Sequence, residues 1–122
     1  MQSVPVVKRD SPVKRFPGTV ELPAYLTAQD LLAWTATVAE YDRLVAEVKE
    51  DGVTTERALS LAGVWNGGIC KIVRRWQIEW LPEYLEANQF PVAPRKAANA
   101  LREWLMGEID QLYFSEEEIP NG

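Results

Sequence analysis

The sequence predicts a mainly α fold: three principal helices in a small bundle, entered through a short N-terminal β arm or hairpin. Three observations carry that reading. Apolar residues recur at helical spacing in three separated tracts. Pro-Gly and Pro punctuate the only early tract that alternates at strand spacing. A complete helix-start signal follows that tract directly.

The arm comes first. In "VKRFPGTVELPAYLTAQDLLAW", residues 13–34, Pro17 and Gly18 occupy the central positions of a type II turn. Val20 and Leu22 alternate with Thr19 and Glu21, and Pro23 closes the strand. Such a hairpin is marginal alone and must lean on the helices or on a partner. Thr27 then reads as an N-cap, with Asp30 in the reciprocal position of a capping box and Leu26 and Leu31 at staple positions.

Helix one is expected over 28–50, with Leu31, Trp34, Val38, Tyr41, Val45 and Val48 as a seam and Asp51-Gly52 as its stop. A short helix fits 54–63, and "WNGG" at 65–68 reads as a break. An Asn-Gly-Gly phosphate nest is disfavoured because the lysine-bearing P-loop pattern is absent. Helix two is expected over 68–81, ended by Pro82. Trp65, Ile69, Ile72, Val73, Trp76 and Trp80 share one face, and Lys71, Arg74, Arg75 and Ile78 the other. Residues 82–94, with Pro82, Pro91 and Pro94, form a rigid connector. Helix three opens near Pro94 and runs to about Phe114, before Glu116–Glu118, which oppose its dipole. Glu108 interrupts its apolar stripe, either as an edge residue reaching water or as a buried acid with a basic partner.

The chain of 122 residues suits one domain. Residues 1–12 read as a flexible basic arm, 13–115 as a single mostly helical domain and 116–122 as a flexible acidic tail. No apolar run is long enough for a membrane span or signal peptide, and the single Cys70 permits no intrachain disulfide, so a cytosolic setting is expected. Net charge is −5, with a balance of +3 in residues 1–15 and −8 in the remainder. An acidic body of this kind repels nucleic-acid phosphates.

Histidine is absent. That removes the commonest general base and metal ligand, and with them Ser-His-Asp and Cys-His catalysis within the chain. With a lone cysteine, a closed zinc site is not available either. The expectation is a non-enzyme with no cofactor and no metal. Trp34, Trp76 and Trp104 sit centrally in apolar stripes and are assigned to the core. The candidate interaction residues are Lys71, Arg74, Arg75 and Ile78 on the polar face of helix two, with Trp65 and Trp80 at its ends. A basic face around one exposed apolar residue suits an acidic, apolar client helix. The same basic residues beside tryptophans leave a small nucleic-acid-binding regulator as an alternative.

In order and content these tracts resemble the tail assembly chaperones of long-tailed (siphovirus-type) bacteriophages. "KRFPGTVELPAYLTAQDLLAWTATV" resembles the family's N-terminal region, with its aromatic-Pro-Gly turn, short strand, Leu-Pro and Leu-Thr helix start. "CKIVRRWQIEWLPE" resembles its helix ending in Trp and Leu-Pro, and "PVAPRKAANALREWLMGEIDQLY" its last helix. The likeness spans about residues 13–119; the first dozen residues and 51–68 carry none of it. It implies a mostly helical protein of the host cytoplasm that coats the tape measure protein, helps recruit tail tube subunits and is absent from the mature virion. It implies no catalytic or metal residue. The family often makes a longer frameshifted product. A structural virion component, such as a small head–tail or tail protein, is the other alternative. The seam on helix one and the tryptophan content also suggest a homo-oligomer.

Overall fold

The computed structural model describes residues 4–118, with side chains described through Tyr113. The elements in order are β1 (Val6–Asp10), β2 (Gly18–Pro23), α1 (Ala28–Asp51), α2 (Thr55–Ile72), β3 (Arg75–Ile78), a 3-10 turn (Ala87–Gln89) and α3 (Arg95–Glu118). The architecture is α+β. Three helices pack with a three-stranded antiparallel sheet of order β1-β2-β3, which corrects the expectation of a mainly α bundle with a β arm.

The correction has two sources. The first is the N-terminal strand. The basic segment assigned to a flexible arm contributes β1, which pairs with β2 from Val6↔Pro23 to Asp10↔Thr19. The expected partner tract, "VKRF", lies instead in the loop between the strands. Ser11 N–H donates to Gly18 O and Phe16 N–H to Val13 O, so the loop is closed by backbone bonds. Gly18 opens β2 at φ +133, and a Cβ there would stand 2.1 Å from Gln77 O on the adjacent strand. Glycine is required at this point by both its dihedral angle and the close approach of β3.

The second source is β3. The helix expected over 68–81 in fact ends at Ile72, and residues 75–78 form a strand on the other edge of β2. At helical spacing Trp76 and Ile78 fall on opposite faces; at strand spacing, two residues apart, they share one. Both are buried, Trp76 opposite Val20 and Ile78 opposite Gly18. The exit from α2 is set by Arg74. Its side chain donates to Ile72 O at 2.8 Å, while its backbone N–H donates to Glu21 O at 2.8 Å. One residue thus satisfies a helix-end carbonyl and begins the strand pairing.

"WNGG" does not break the chain; α2 runs through it. Gly68 is buried, and a Cβ there would meet Thr37 Oγ1 of α1 at 2.5 Å. Gly68 serves helix–helix approach rather than a turn. The α1 cap is as expected: Asp30 N–H donates to Thr27 Oγ1 at 3.2 Å and Thr27 N–H to Asp30 Oδ2 at 3.1 Å. Leu26 packs against the core, but Leu31 remains exposed.

One core joins these elements. Val20, Leu22, Trp76 and Ile78 from the sheet meet Ile69 and Ile72 of α2 and Leu101, Leu105 and Ile109 of α3. The connector contributes Leu85 and Phe90, the latter edge-on to Trp76 with ring centroids 6.0 Å apart. Trp34 is buried as expected, whereas Trp104 is half-buried at the core edge. Glu108 resolves as the partnered acid, 3.0 Å from Arg9 Nε of β1. α3 continues to Glu118, past its expected stop; the rest of the acidic tail, 119–122, lies outside the described residues, as do residues 1–3.

Candidate functional site

The strand over 75–78 dissolves the helix face on which four candidate residues were placed together. Ile78 is 3% exposed and belongs to the core, so it contacts no client. Arg75 is spent within the sheet, 2.6 Å from Glu83 and 3.7 Å from Glu21. Arg74 is spent at the sheet–helix junction, 2.8 Å from the Asp30 carboxylate. Lys71 alone of the four is an exposed charge, on the last turn of α2. The expected basic face does not form, because Arg75 and Ile78 point where a strand sends them and Arg74 turns to Asp30.

Asp30 thereby serves the cap and the ion pair at once. Burial works to raise its pKa, but the Thr27 N–H and the Arg74 guanidinium outweigh it. The carboxyl is held below its ordinary value of 3.8. Cys70 is the opposite case: burial pushes its thiol up to about 11, which leaves it protonated and inert at neutral pH.

The two tryptophans of the candidate set fare differently. Trp80 is 81% exposed and adopts φ +78 in the turn that follows β3, closed by Leu81 N–H donating to Ile78 O. Tyr84 nearby is 70% exposed. Trp65 is half-buried in an aromatic group, its ring centroid 5.5 Å from that of Trp34 and 4.8 Å from that of Tyr41.

A largely apolar concavity lies elsewhere, between α1 and α3. Trp34, Thr35, Val38, Ala39, Asp42, Asp110 and Tyr113 line a groove of about 370 Å³. α1 packs chiefly on α2, so the side of its seam nearest α3 is left partly open. Val38 is 37% exposed, and Leu31 and Leu32, one to two turns earlier, are exposed as well, Leu32 at 71%. Trp34 forms the floor, its indole N–H donating to Asp110 Oδ1 at 3.2 Å. No lysine or arginine lines the groove; its charges are Asp42 and Asp110, neither of them ion-paired among the described residues. The seam on α1 was visible in the sequence as a repeat of three and four. Its incomplete covering was not, because that depends on how α3 passes α1.

Among the described residues no cluster of three or more Cys, Asp or Glu side chains could hold a metal ion, and no helix is long and apolar enough to cross a membrane. No family model, curated protein or solved structure matches this chain.

Proposed function

We propose that the protein is a binding module without enzymatic activity, a tail assembly chaperone of the kind its sequence resembles, and that it holds an amphipathic helix of its client in the α1–α3 groove. The observation that carries the reading is the open apolar seam of α1: Val38 exposed in the groove beside a floor made by Trp34, with Leu31 exposed two turns earlier on the same helix. A helix laid into such a groove buries an apolar stripe at i, i+3, i+4 and i+7. Asp42 and Asp110 at the groove select for lysine or arginine beside that stripe. The client chemistry is therefore apolar and basic, the reverse in charge of what the sequence suggested.

On this reading the client is the tape measure protein, a long helical chain whose unassembled apolar stripes invite aggregation. The chaperone covers those stripes in the host cytoplasm, aids addition of tail tube subunits and leaves before the virion is complete. Co-expression of the chain with the tape measure protein of the same genome tests this. Val38→Lys removes an apolar contact and repels a basic client at an exposed helix site. It should leave the melting temperature nearly unchanged, as surface substitutions do, and abolish co-purification. Undiminished co-purification would place the client elsewhere. Finding the chain at stoichiometric levels in purified virions would favour a structural component instead.

A further inference from the structure

A second groove, of about 530 Å³, runs between α2 and α3 and is closed at one end by Tyr41 of α1. Its apolar wall includes Leu59, Trp65 and Val92; its polar wall is Arg95, Asn99 and Arg102. Leu59 and Val92 are exposed, so the wall is open to a partner.

The arginines here differ from four others in the chain. Arg9, Arg43, Arg74 and Arg75 each face a carboxylate. Arg95 and Arg102 make no ion pair among the described residues, and Glu103 acts on Arg102 only from beyond ion-pair distance. Arg102 is half-buried and bonds only to neutral amide oxygens: Nε to Asn66 Oδ1 at 3.1 Å and Nη1 to Asn99 Oδ1 at 2.9 Å. Asn66 is itself buried in α2, so the guanidinium is held in a fixed pose. Its Nη2 has no hydrogen-bond acceptor among the described residues. Burial lowers the Arg102 pKa against the opposing pull of the Glu103 charge. A half-buried, oriented guanidinium that makes no ion pair binds a carboxylate better than a hydrated surface lysine does.

We infer that the α2–α3 groove is a second docking site, for a polypeptide segment of a partner that carries one carboxylate between apolar side chains. The carboxylate sits on Arg102 with Arg95 beside it, and the flanking apolar groups lie against Trp65, Leu59 and Val92. Charge complementarity selects this occupant. Two cations in a groove whose lining holds no carboxylate attract a single acid, while a polyanionic phosphate chain is repelled by a protein of net charge −5. The site takes acidic segments and the α1–α3 groove basic ones, so the two grooves accept different partners. This inference does not rest on the identity of the client proposed above.

The test is titration of the ¹⁵N-labelled full chain by NMR with acetyl-Leu-Glu-Phe-amide and its Gln counterpart. The Glu peptide should shift the Arg102 Nε–H and the backbone near residues 59 and 92 saturably. It should bind about tenfold more tightly than the Gln peptide, the order of one charge-assisted hydrogen bond. Arg95→Gln, at an exposed position, should keep the fold and reduce that preference by about twofold or more. Arg102→Gln should abolish it; should that variant fail to fold for want of the Asn66 contact, Arg95→Gln still decides. Equal binding of the two peptides, shifts confined to other surfaces, or an unchanged preference in Arg95→Gln would overturn the site. So would inorganic phosphate shifting the same signals with the affinity of the Glu peptide, since that describes an anion site with no use for the apolar wall. All these outcomes leave the α1–α3 groove untouched.

Discussion

Trp80 occupies a backbone conformation that disfavours every side chain, and a bulky one most. Its φ of +78 is that of the third position in a type II turn, where glycine is the usual residue. Since the ring is 81% exposed, it returns little packing for the strain. Trp80→Gly should therefore raise stability, by up to about 1 kcal/mol, read as a higher urea midpoint. A lowered midpoint would mean that the indole is held by contacts of its own. Partial exposure of Trp80 is expected from its place at the end of a helix over 68–81; the residue is exposed, but on the turn after β3. The fate of Ile78 was not legible. In "RRWQIEW" the helical and strand periods cover too few residues to be separated, and Pro82 supplied a plausible helix end at 81, nine residues beyond the real end of α2. The same short tract decides both the core role of Ile78 and the pairing of Arg75 with Glu21 and Glu83.

At the scale of elements, two junctions fix the layout. The first is the α1 N-terminus, where Asp30 closes the capping box and receives Arg74 from the start of β3. Because its native pKa lies below 3.8, the unfolded chain takes up the proton first as the pH falls. The stability contributed by Asp30 is thus fully present above pH 3.8, declines below it and is gone once the pH has passed the native value. Asp30→Ala should cost about 2 kcal/mol at neutral pH, through the lost cap partner and the stranded guanidinium. It should also flatten the acid limb of a melting-temperature profile. A variant with the acid limb of the parent would show that other carboxylates govern it.

The second junction is the α1–α2 crossing at Gly68. With a Cβ placed 2.5 Å from Thr37 Oγ1, Gly68→Ala must push the helices apart. It should destabilise the fold by about 1–3 kcal/mol, measured by urea denaturation; a neutral effect would show that the crossing is loosely packed. The cap was written in the sequence, because a capping box is a local chemical pattern. The crossing was written there too, as "WNGG", but glycine signals a turn and a close approach alike. Only the tertiary structure separates the two. β1 was harder still: a basic, mostly exposed edge strand has almost no apolar alternation to announce it, and its pairing partner lies across a loop of seven residues.

At the scale of the whole molecule, a small sheet and three helices close one core, and the α1–α3 and α2–α3 grooves lie beside it. The α1–α3 groove is apolar with acidic side chains; the α2–α3 groove is apolar with basic ones. Neither arrangement could be read from the chain, since each is made by residues on separate helices whose spacing the core determines. Three of the candidate interaction residues are still available to partners: Lys71 on the last turn of α2, Trp80 on its turn and Trp65 in the wall of the second groove. The central claim is that a client helix lies along the open seam of α1. Photo-crosslinking tests it most directly. A benzophenone side chain is placed at position 38 in one preparation and at position 71 in another, and each is irradiated with the tape measure protein bound. The account predicts strong crosslinks from position 38, mapped to apolar and basic helical stretches of the client, and none from position 71. Crosslinks from position 71 with none from position 38 would contradict it.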